Sequence, residues 1–316
     1  MADIIKKATR EAYGEFLVEA GAKRPDLIVM DADLSGSTKT GMFAKVYPER
    51  FVQSGIAEQD MIAEAAGIAL SGHVVCASSF AMFAAGRPYE IIRNSVGYTN
   101  ANVKICATHA GITVGEDGAS HQTFEDIALM REIPGMQVIC PADAVSAKIL
   151  LWQIIEENGP AYVRLGRSAV PVLYIEGSMQ AESIQIGKAN VLREGTDATV
   201  IATGIMVPEA VKAALALAEE GISVRVLDMH TIKPIDADAV IAAARETGRI
   251  VTAEEHSVIG GLGSAVAEVV VQNCPVRMAM VGQADTFGES GKPAELLEKY
   301  GMTADDIVKA VKGLLV

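Results

Sequence analysis

Val103-Lys104-Ile105-Cys106-Ala107-Thr108-His109-Ala110-Gly111-Ile112-Thr113-Val114-Gly115-Glu116-Asp117-Gly118-Ala119-Ser120-His121-Gln122 passes from an apolar run into a segment holding two of the chain's five histidines among carboxylates and glycines. The first five residues read as a buried strand, and residues 124–131 continue with helical spacing, so the polar segment is a loop at a strand's carboxyl end. In an open α/β sheet that edge is where ligands bind. Glycines let the backbone turn tightly against a ligand, while His and Asp exchange protons or hydrogen-bond hydroxyls near neutral pH. Taken by itself, Gly115-Glu116-Asp117-Gly118 is equally a surface turn beside incidental histidines.

The alternation of strand-like and helical spacing extends both ways from this loop. Strand-like runs at residues 27–30, 73–77, 103–107, 137–140 and 161–165 predict an α/β fold with a mostly parallel sheet flanked by helices. From about residue 169 the pattern decays into Pro, Tyr, Glu, Gly and Ser, which reads as a connector. A second series follows, with strands at 198–202, 223–227, 249–253 and 276–280 and helices at 207–220, 236–246 and 262–272, and predicts a smaller α/β domain. The division is therefore 1–170, a connector at 171–187, and 188–316. Gly260-Gly261-Leu262-Gly263 follows a strand, but the third glycine of a dinucleotide fingerprint would fall on Val266, so the run reads as a helix start. His230 and His256 lack clustered partners in sequence and read as structural or interfacial.

Composition limits the function classes. With 50% hydrophobic and 21% charged residues and a mean hydropathy of +0.27, 316 residues can bury a large core with apolar surface left for a subunit interface. A net charge of -13 disfavours nonspecific binding to nucleic acid or anionic membrane, so an anionic substrate needs a local cationic cluster. Met1-Ala2-Asp3-Ile4-Ile5-Lys6-Lys7 lacks the apolar core of a secretory signal, and the most apolar region, residues 62–85, is interrupted by Glu64 and His73, so a cytoplasmic protein without a membrane span is expected. Cys76, Cys106, Cys140 and Cys274 have no zinc or redox spacing and read as buried, reduced thiols.

A second group of polar residues precedes the loop. Glu58, in Gly55-Ile56-Ala57-Glu58-Gln59-Asp60-Met61, follows the short strand 51–53 and precedes a helix rich in Ala and Gly, and the next apolar segment carries Phe80 and Phe83. A carboxylate at a helix start is commonly a dipole-favoured charge. Beside aromatic walls it can share a proton with a heteroaromatic ring. Together, Glu58, Phe80, Phe83 and the run 115–122 resemble the pyrimidine-binding domain of transketolase, a thiamine-diphosphate enzyme. Thr286-Phe287-Gly288-Glu289-Ser290-Gly291 and Leu296-Leu297-Glu298-Lys299-Tyr300-Gly301 resemble the transketolase C-terminal domain, so the resemblance covers nearly the whole chain in order.

The resemblance implies roles for named residues. Glu58 would hydrogen-bond the aminopyrimidine ring nitrogen of thiamine diphosphate and favour the imino tautomer that removes the thiazolium C2 proton, with Phe80 and Phe83 packed on the pyrimidine and Asp33 near the cofactor. Asp117 and His121 would contact the hydroxyls and carbonyl of the sugar, and, with Glu58, form the catalytic set. His109 would lie near the sugar's far end and its phosphate. Arg10 and Arg167 resemble phosphate-binding arginines, with Ser37 as their hydroxyl partner. Guanidinium forks suit phosphate oxygens, and these two supply the local cationic cluster. An arginine alone reads as a surface ion pair; their joint match carries the assignment.

The family's Gly-Asp-Gly motif and downstream Asn, which hold Mg2+ and the cofactor's diphosphate, do not occur in this sequence. No metal site is expected on the chain. It resembles the C-terminal component of a split transketolase that transfers a two-carbon ketol unit from a ketose phosphate to an aldose phosphate. Mg2+ and the diphosphate would be held by a separate N-terminal subunit, in a heterotetramer with two copies of each chain. Alternatives are a deoxyxylulose-phosphate synthase-like or 2-oxoacid dehydrogenase component, a specialised sugar transketolase, and a non-catalytic homolog.

Overall fold

Runs of Val, Ile, Ala and Cys without polar alternation are stable in a sheet only when both faces are covered. In a computed structural model that describes residues 5–316, they are. Residues 1–4, part of the stretch read for a secretory signal, lie outside the described residues. The first half contributes β1 (Lys6–Lys7), β2 (Leu27–Asp31), β3 (Phe51–Gln53), β4 (Val74–Ser78), β5 (Val103–Ala107), β6 (Gln137–Ile139), β7 (Ala161–Arg164) and β8 (Val170–Pro171). The second half contributes β9 (Asn190–Arg193), β10 (Ala198–Ala202), β11 (Val224–Asp228), β12 (Thr231–Lys233), β13 (Arg249–Ser257) and β14 (Arg277–Gln283). This is the α/β architecture that the alternating pattern predicts.

The first sheet has seven strands in the order β12-β6-β7-β5-β4-β2-β3, all parallel except β12, which pairs antiparallel with β6. Helices Thr9–Lys23 and Ala144–Glu156 cover one face, where Tyr13, Phe16 and Leu17 share a core with Leu150, Leu151 and Ile154. The second of these helices starts at Asp143, whose carboxylate accepts from Ser146 N at 2.8 Å, a cap worth about 1 kcal/mol. Helix Glu58–Leu70 covers the other face through Met61, Ile62 and Ala65, in a core that continues into the second half through Ile201, Leu227 and Leu262. The second sheet, β14-β13-β10-β11-β9, is parallel except for β9, and helices Met206–Glu219 and Ala304–Leu315 pack on it.

The structure differs from the sequence reading in places. β13 runs four residues beyond 253, and Glu254, Glu255 and His256 are all buried within it. Residues 293–299 and 304–315 are helical, and β14 is displaced toward its carboxyl end. The region read as a connector contains helix Met179–Glu182. Leu262–Asn273 is the expected helix; its first amides, Leu262 N and Gly263 N, donate to the Glu254 carboxyl group at 2.6 and 2.8 Å, so that end is already occupied by a side chain of the chain itself. Cys76, Cys106 and Cys140 are buried free thiols, whereas Cys274 is half-buried. No helix among the described residues is long and apolar enough to cross a membrane.

Candidate active site

Parallel strands present their carboxyl ends along one edge, and the segments that follow them meet there. β3 leads to Glu58, β4 to Ser79 and Phe80, β5 to Thr108 and His109, and β7 to Arg167. Arg10 comes from the start of helix Thr9–Lys23, which runs back against strand direction, so its first turn lies at the same edge. Mutual hydrogen bonds lock β4 and β5 past their ends: Ala81 N donates to Thr108 O at 2.7 Å and Thr108 N to Ser79 O at 3.1 Å.

Glu58 is the first residue of its helix rather than preceding it, and is 3% exposed. Its surroundings are not purely apolar. Arg87 Nη1 donates to Glu58 Oε2 at 2.6 Å, and Ser79 Oγ donates to Oε1 at 3.3 Å. The Arg87 guanidinium lies 4.3 Å from the Phe83 ring centroid, and Gln59 Nε2 donates to Arg87 O at 3.1 Å. Sequence reasoning missed Arg87 because it stands 29 residues from Glu58 in an unremarkable Gly-Arg-Pro run.

Aromatic contacts connect this carboxylate to the loop. Phe80 and Phe83 are near-parallel at 15° with centroids 6.2 Å apart. His109 stacks on Phe80 at 3.8 Å, and the His121 ring stands edge-on to Phe83 at 5.2 Å. His109 is in the left-handed region at φ 57°. Its Nε2 lies 3.3 Å from Arg10 Nη1 and its Nδ1 lies 2.9 Å from Thr108 Oγ1. Arginine only donates, so Nε2 carries the lone pair and Nδ1 the proton. Burial first, then the charges of Arg10 and Arg167, push the His109 pKa down to about 3, so the ring is neutral at physiological pH.

At the far end, Arg10 Nη1 also donates to Ser37 O at 2.9 Å, so Ser37 meets it through its carbonyl rather than its hydroxyl. Arg10 Nε is buried with no partner among the described residues, an unsatisfied donor of the kind a ligand anion would satisfy. Arg167 Nη1 donates to Val114 O and, at 2.9 Å, to Glu116 Oε2; Glu116 is itself held below the usual carboxylate range by this bond. Asp117 is exposed and His121 half-buried, with Nδ1 3.0 Å from Ser120 Oγ. Asp33 is exposed, its N–H donating to Gln53 Oε1 at 2.7 Å, and the buried carboxylate at this strand end is Asp31 instead, which accepts from Leu34 N, Thr38 Oγ1 and Thr40 Oγ1. Phe80, Phe83, His109, His121, Arg10 and Ser37 are thus joined by direct contacts and Glu58 is tied to Phe83 through Arg87, with Asp117 and Arg167 on the adjoining loops; no such contact reaches Asp33.

His230 and His256 do have partners, one of each distant in sequence. His230 contacts Thr231 Oγ1 and Asn190 Oδ1 at 3.0 and 3.1 Å. His256 lies 3.9 Å from Asp126 and 3.7 Å from Glu254, and burial pushes its pKa down to about 4.

Comparison with known proteins gives the family. Residues 5–172 match the family model for the transketolase pyrimidine binding domain, and residues 187–307 match the transketolase C-terminal domain. The chain belongs to the transketolase family. It is the C-terminal section of a split transketolase, pyrimidine-binding plus C-terminal domains, over nearly its full length. A Methanocaldococcus jannaschii protein named as a transketolase C-terminal section is 52% identical over 97% of this chain and 96% of its own length. The 6-deoxy-6-sulfo-D-fructose transketolase subunit SqwH of Clostridium sp. is 43% identical over 95% of this chain and 92% of its own. A solved structure described as a split gene transketolase, inactive beta4 tetramer, superposes with a TM-score of 0.90 at 53% identity, covering 98% of both chains. As a pyrimidine-binding domain of this family, the first half implies thiamine diphosphate as cofactor.

Proposed function

We propose that this transketolase section, joined to an N-terminal diphosphate-binding subunit, transfers a two-carbon ketol unit from a ketose phosphate to an aldose phosphate in the cytoplasm, within the pentose phosphate pathway. A heterotetramer with two copies of each chain is the assembly proposed. The observation that carries this reading is the stacked pair Phe80–His109: His109 meets Arg10, whose Nε has no partner among the described residues, and Ser79, next to Phe80, donates to the buried carboxylate of Glu58.

The donor set suits an aminopyrimidine: a buried carboxylate as acceptor for a ring N–H, beside two near-parallel phenyl rings. Bound between the subunits, thiamine diphosphate would supply the electron sink for cleaving the carbon–carbon bond beside a ketose carbonyl. Glu58 would hold the pyrimidine ring nitrogen and keep a proton there, while Phe80 and Phe83 pack the ring and exclude water. Mg2+ and the diphosphate are assigned to the partner. Asp117 and His121 would orient the sugar hydroxyls, and neutral His109 would hold the far end of the chain. Arg10 and Arg167 would bind the terminal phosphate, Arg167 after exchanging Glu116 for it.

A second reading differs only in that terminal group. Two guanidiniums in this position suit a sulfonate as well as a phosphate, and the Clostridium relative's name specifies a sulfo-sugar. In the reconstituted complex, Glu58→Ala is expected to abolish ketol transfer from xylulose 5-phosphate while leaving the far-ultraviolet circular dichroism unchanged. Retained full activity would sink the assignment. Turnover of pyruvate in place of the ketose would favour the synthase-like alternative, and preference for a 6-sulfo-ketose would favour the sulfonate.

A further inference from the structure

The loop carrying His109, Asp117 and His121 is shaped largely by the second half of the chain. Gly111, Gly115 and Gly118 have φ of 79°, 82° and 77°, in the left-handed region where a side chain is disfavoured. At Gly111 a Cβ would run into the Glu255 carboxylate; at Gly115 it would press on Pro293 and at Gly118 on Ser290. Hydrogen bonds complete the cradle: Glu255 Oε1 accepts from Thr113 N at 2.7 Å, and Gln122 Nε2 donates to Glu289 O at 2.9 Å.

Among these contacts only Glu255 brings a buried ionisable group, its pKa pushed up to about 7 by burial against the pull of Arg164, and a network from other elements fixes it. It is 3% exposed on β13. Arg164, from β7, donates through Nη2 to Glu255 O at 2.9 Å and places Nη1 3.7 Å from Oε2. Arg164 Nε also donates to Asp126 Oδ2 at 2.8 Å, which accepts from Tyr162 OH at 2.7 Å. A buried ion pair of this kind is weak support for stability, because an apolar replacement packs as well; what it supplies is a defined geometry. The geometry delivered here is an acceptor for Thr113 N–H at the centre of the loop.

We propose that Glu255 is a positioning residue for the sugar-facing loop: by holding Thr113 N–H against the Gly111 turn, it sets where His109 and Asp117 stand. The carboxyl-terminal domain thereby governs donor affinity, without touching cofactor or substrate. The inference rests on reading Asp117 and its neighbours as sugar contacts.

Two substitutions separate reach from charge. Glu255→Asp keeps a carboxyl on the Arg164 side but withdraws the acceptor from Thr113 by one methylene, whereas Glu255→Gln keeps an acceptor of the original reach. In the complex with the N-terminal subunit, Glu255→Asp is expected to raise the donor KM about tenfold with kcat within about threefold, as for loss of one charged hydrogen bond. The thiamine diphosphate Kd should not move, and amide exchange at Thr113 should quicken. Glu255→Gln should restore KM to within about threefold of the parent. If Glu255→Asp fails to assemble, Gly111→Ala, which drives a methyl into the same carboxylate from the loop side, should give the same KM shift at constant cofactor Kd. Equal losses in the Asp and Gln variants, or a fall in kcat and thermal midpoint at unchanged KM, would overturn the proposal in favour of a merely structural role. Asp117→Asn serves as the control: if it leaves donor KM unchanged, the sugar-contact reading fails, and if it raises KM while Glu255→Asp does not, only the positioning role fails.

Discussion

Arg87 holds Glu58: its Nη1 donates to the buried carboxylate at 2.6 Å while its guanidinium lies 4.3 Å from the Phe83 centroid. A planar N–H donor stacked on a ring and bonded to Glu58 makes the two interactions that an aminopyrimidine would require of the same residues. An incoming ring therefore competes with Arg87 for both. Arg87 is half-exposed while Glu58 is buried, so loss of Arg87 leaves the carboxylate with the Ser79 hydroxyl alone until a ring N–H takes the guanidinium's place. Arg87→Met in the partnered complex is expected to tighten thiamine diphosphate binding several-fold by calorimetric titration. Weakened binding would mean that the guanidinium stays with Glu58 and orients it.

The anion end makes a separate prediction. Arg10 presents one guanidinium to Ser37 O and His109 Nε2, and its buried Nε has no partner among the described residues. A charge-assisted hydrogen bond contributes about 1.5–3 kcal/mol, so Arg10→Ala should raise the KM of a phosphorylated donor by about 10- to 100-fold. An unphosphorylated ketose should show almost no change. Arg10→Lys should recover only part of the loss, because an ammonium lacks the fork. Equal effects on both donors would remove Arg10 from phosphate recognition.

His109 makes a prediction about pH. Its folded pKa is depressed to about 3, by burial and by Arg10 and Arg167, so the imidazole stays neutral well below its ordinary pKa. Any inflection in kcat/KM between about pH 5 and 9 must then arise elsewhere. His109→Gln is expected to raise donor KM while leaving the shape of that profile unchanged. Disappearance of a limb in the variant would show that His109 titrates during turnover.

Both sheets were legible from apolar runs because covered strands need no polar alternation, and the site's location followed from parallel strand ends. The misses have physical causes. Glu254-Glu255-His256 looks like a polar turn, yet continues β13 through the core, because Arg164, Asp126 and the amides at 262 and 263 partner those polar groups from elsewhere in the chain. β9 and β12 are short antiparallel edges whose pairing is set by tertiary contact. The helix Ala304–Leu315 did have a start signal, the Thr303 and Asp306 capping box, with Thr303 Oγ1 donating to Asp306 Oδ2 at 2.6 Å. In the site, Glu58, Phe80, Phe83 and the 115–122 run were readable as patterns. Arg87 and Glu255 were not, because each acts on a residue far away in sequence.

Asp228 links burial to stability. It ends β11, fully buried, and accepts from Tyr174 OH at 2.7 Å through Oδ2, while Oδ1 has no partner among the described residues. Burial outweighs that hydrogen bond and pushes its pKa up to about 7. The folded state thus holds the proton more tightly than the unfolded chain, in which an Asp titrates near its ordinary value of about 3.9. Its contribution to stability is greatest below that value, falls as pH rises toward about 7, and is level above, a loss on the order of a few kcal/mol. Asp228→Asn keeps the shape and the acceptor for Tyr174 but never ionises. The difference in thermal midpoint, variant minus parent, should therefore grow in the variant's favour from about pH 4 to about pH 7 and then flatten; background titrations shared by the two proteins cancel in that difference. A difference that is constant across the range would show that Asp228 does not change charge on folding.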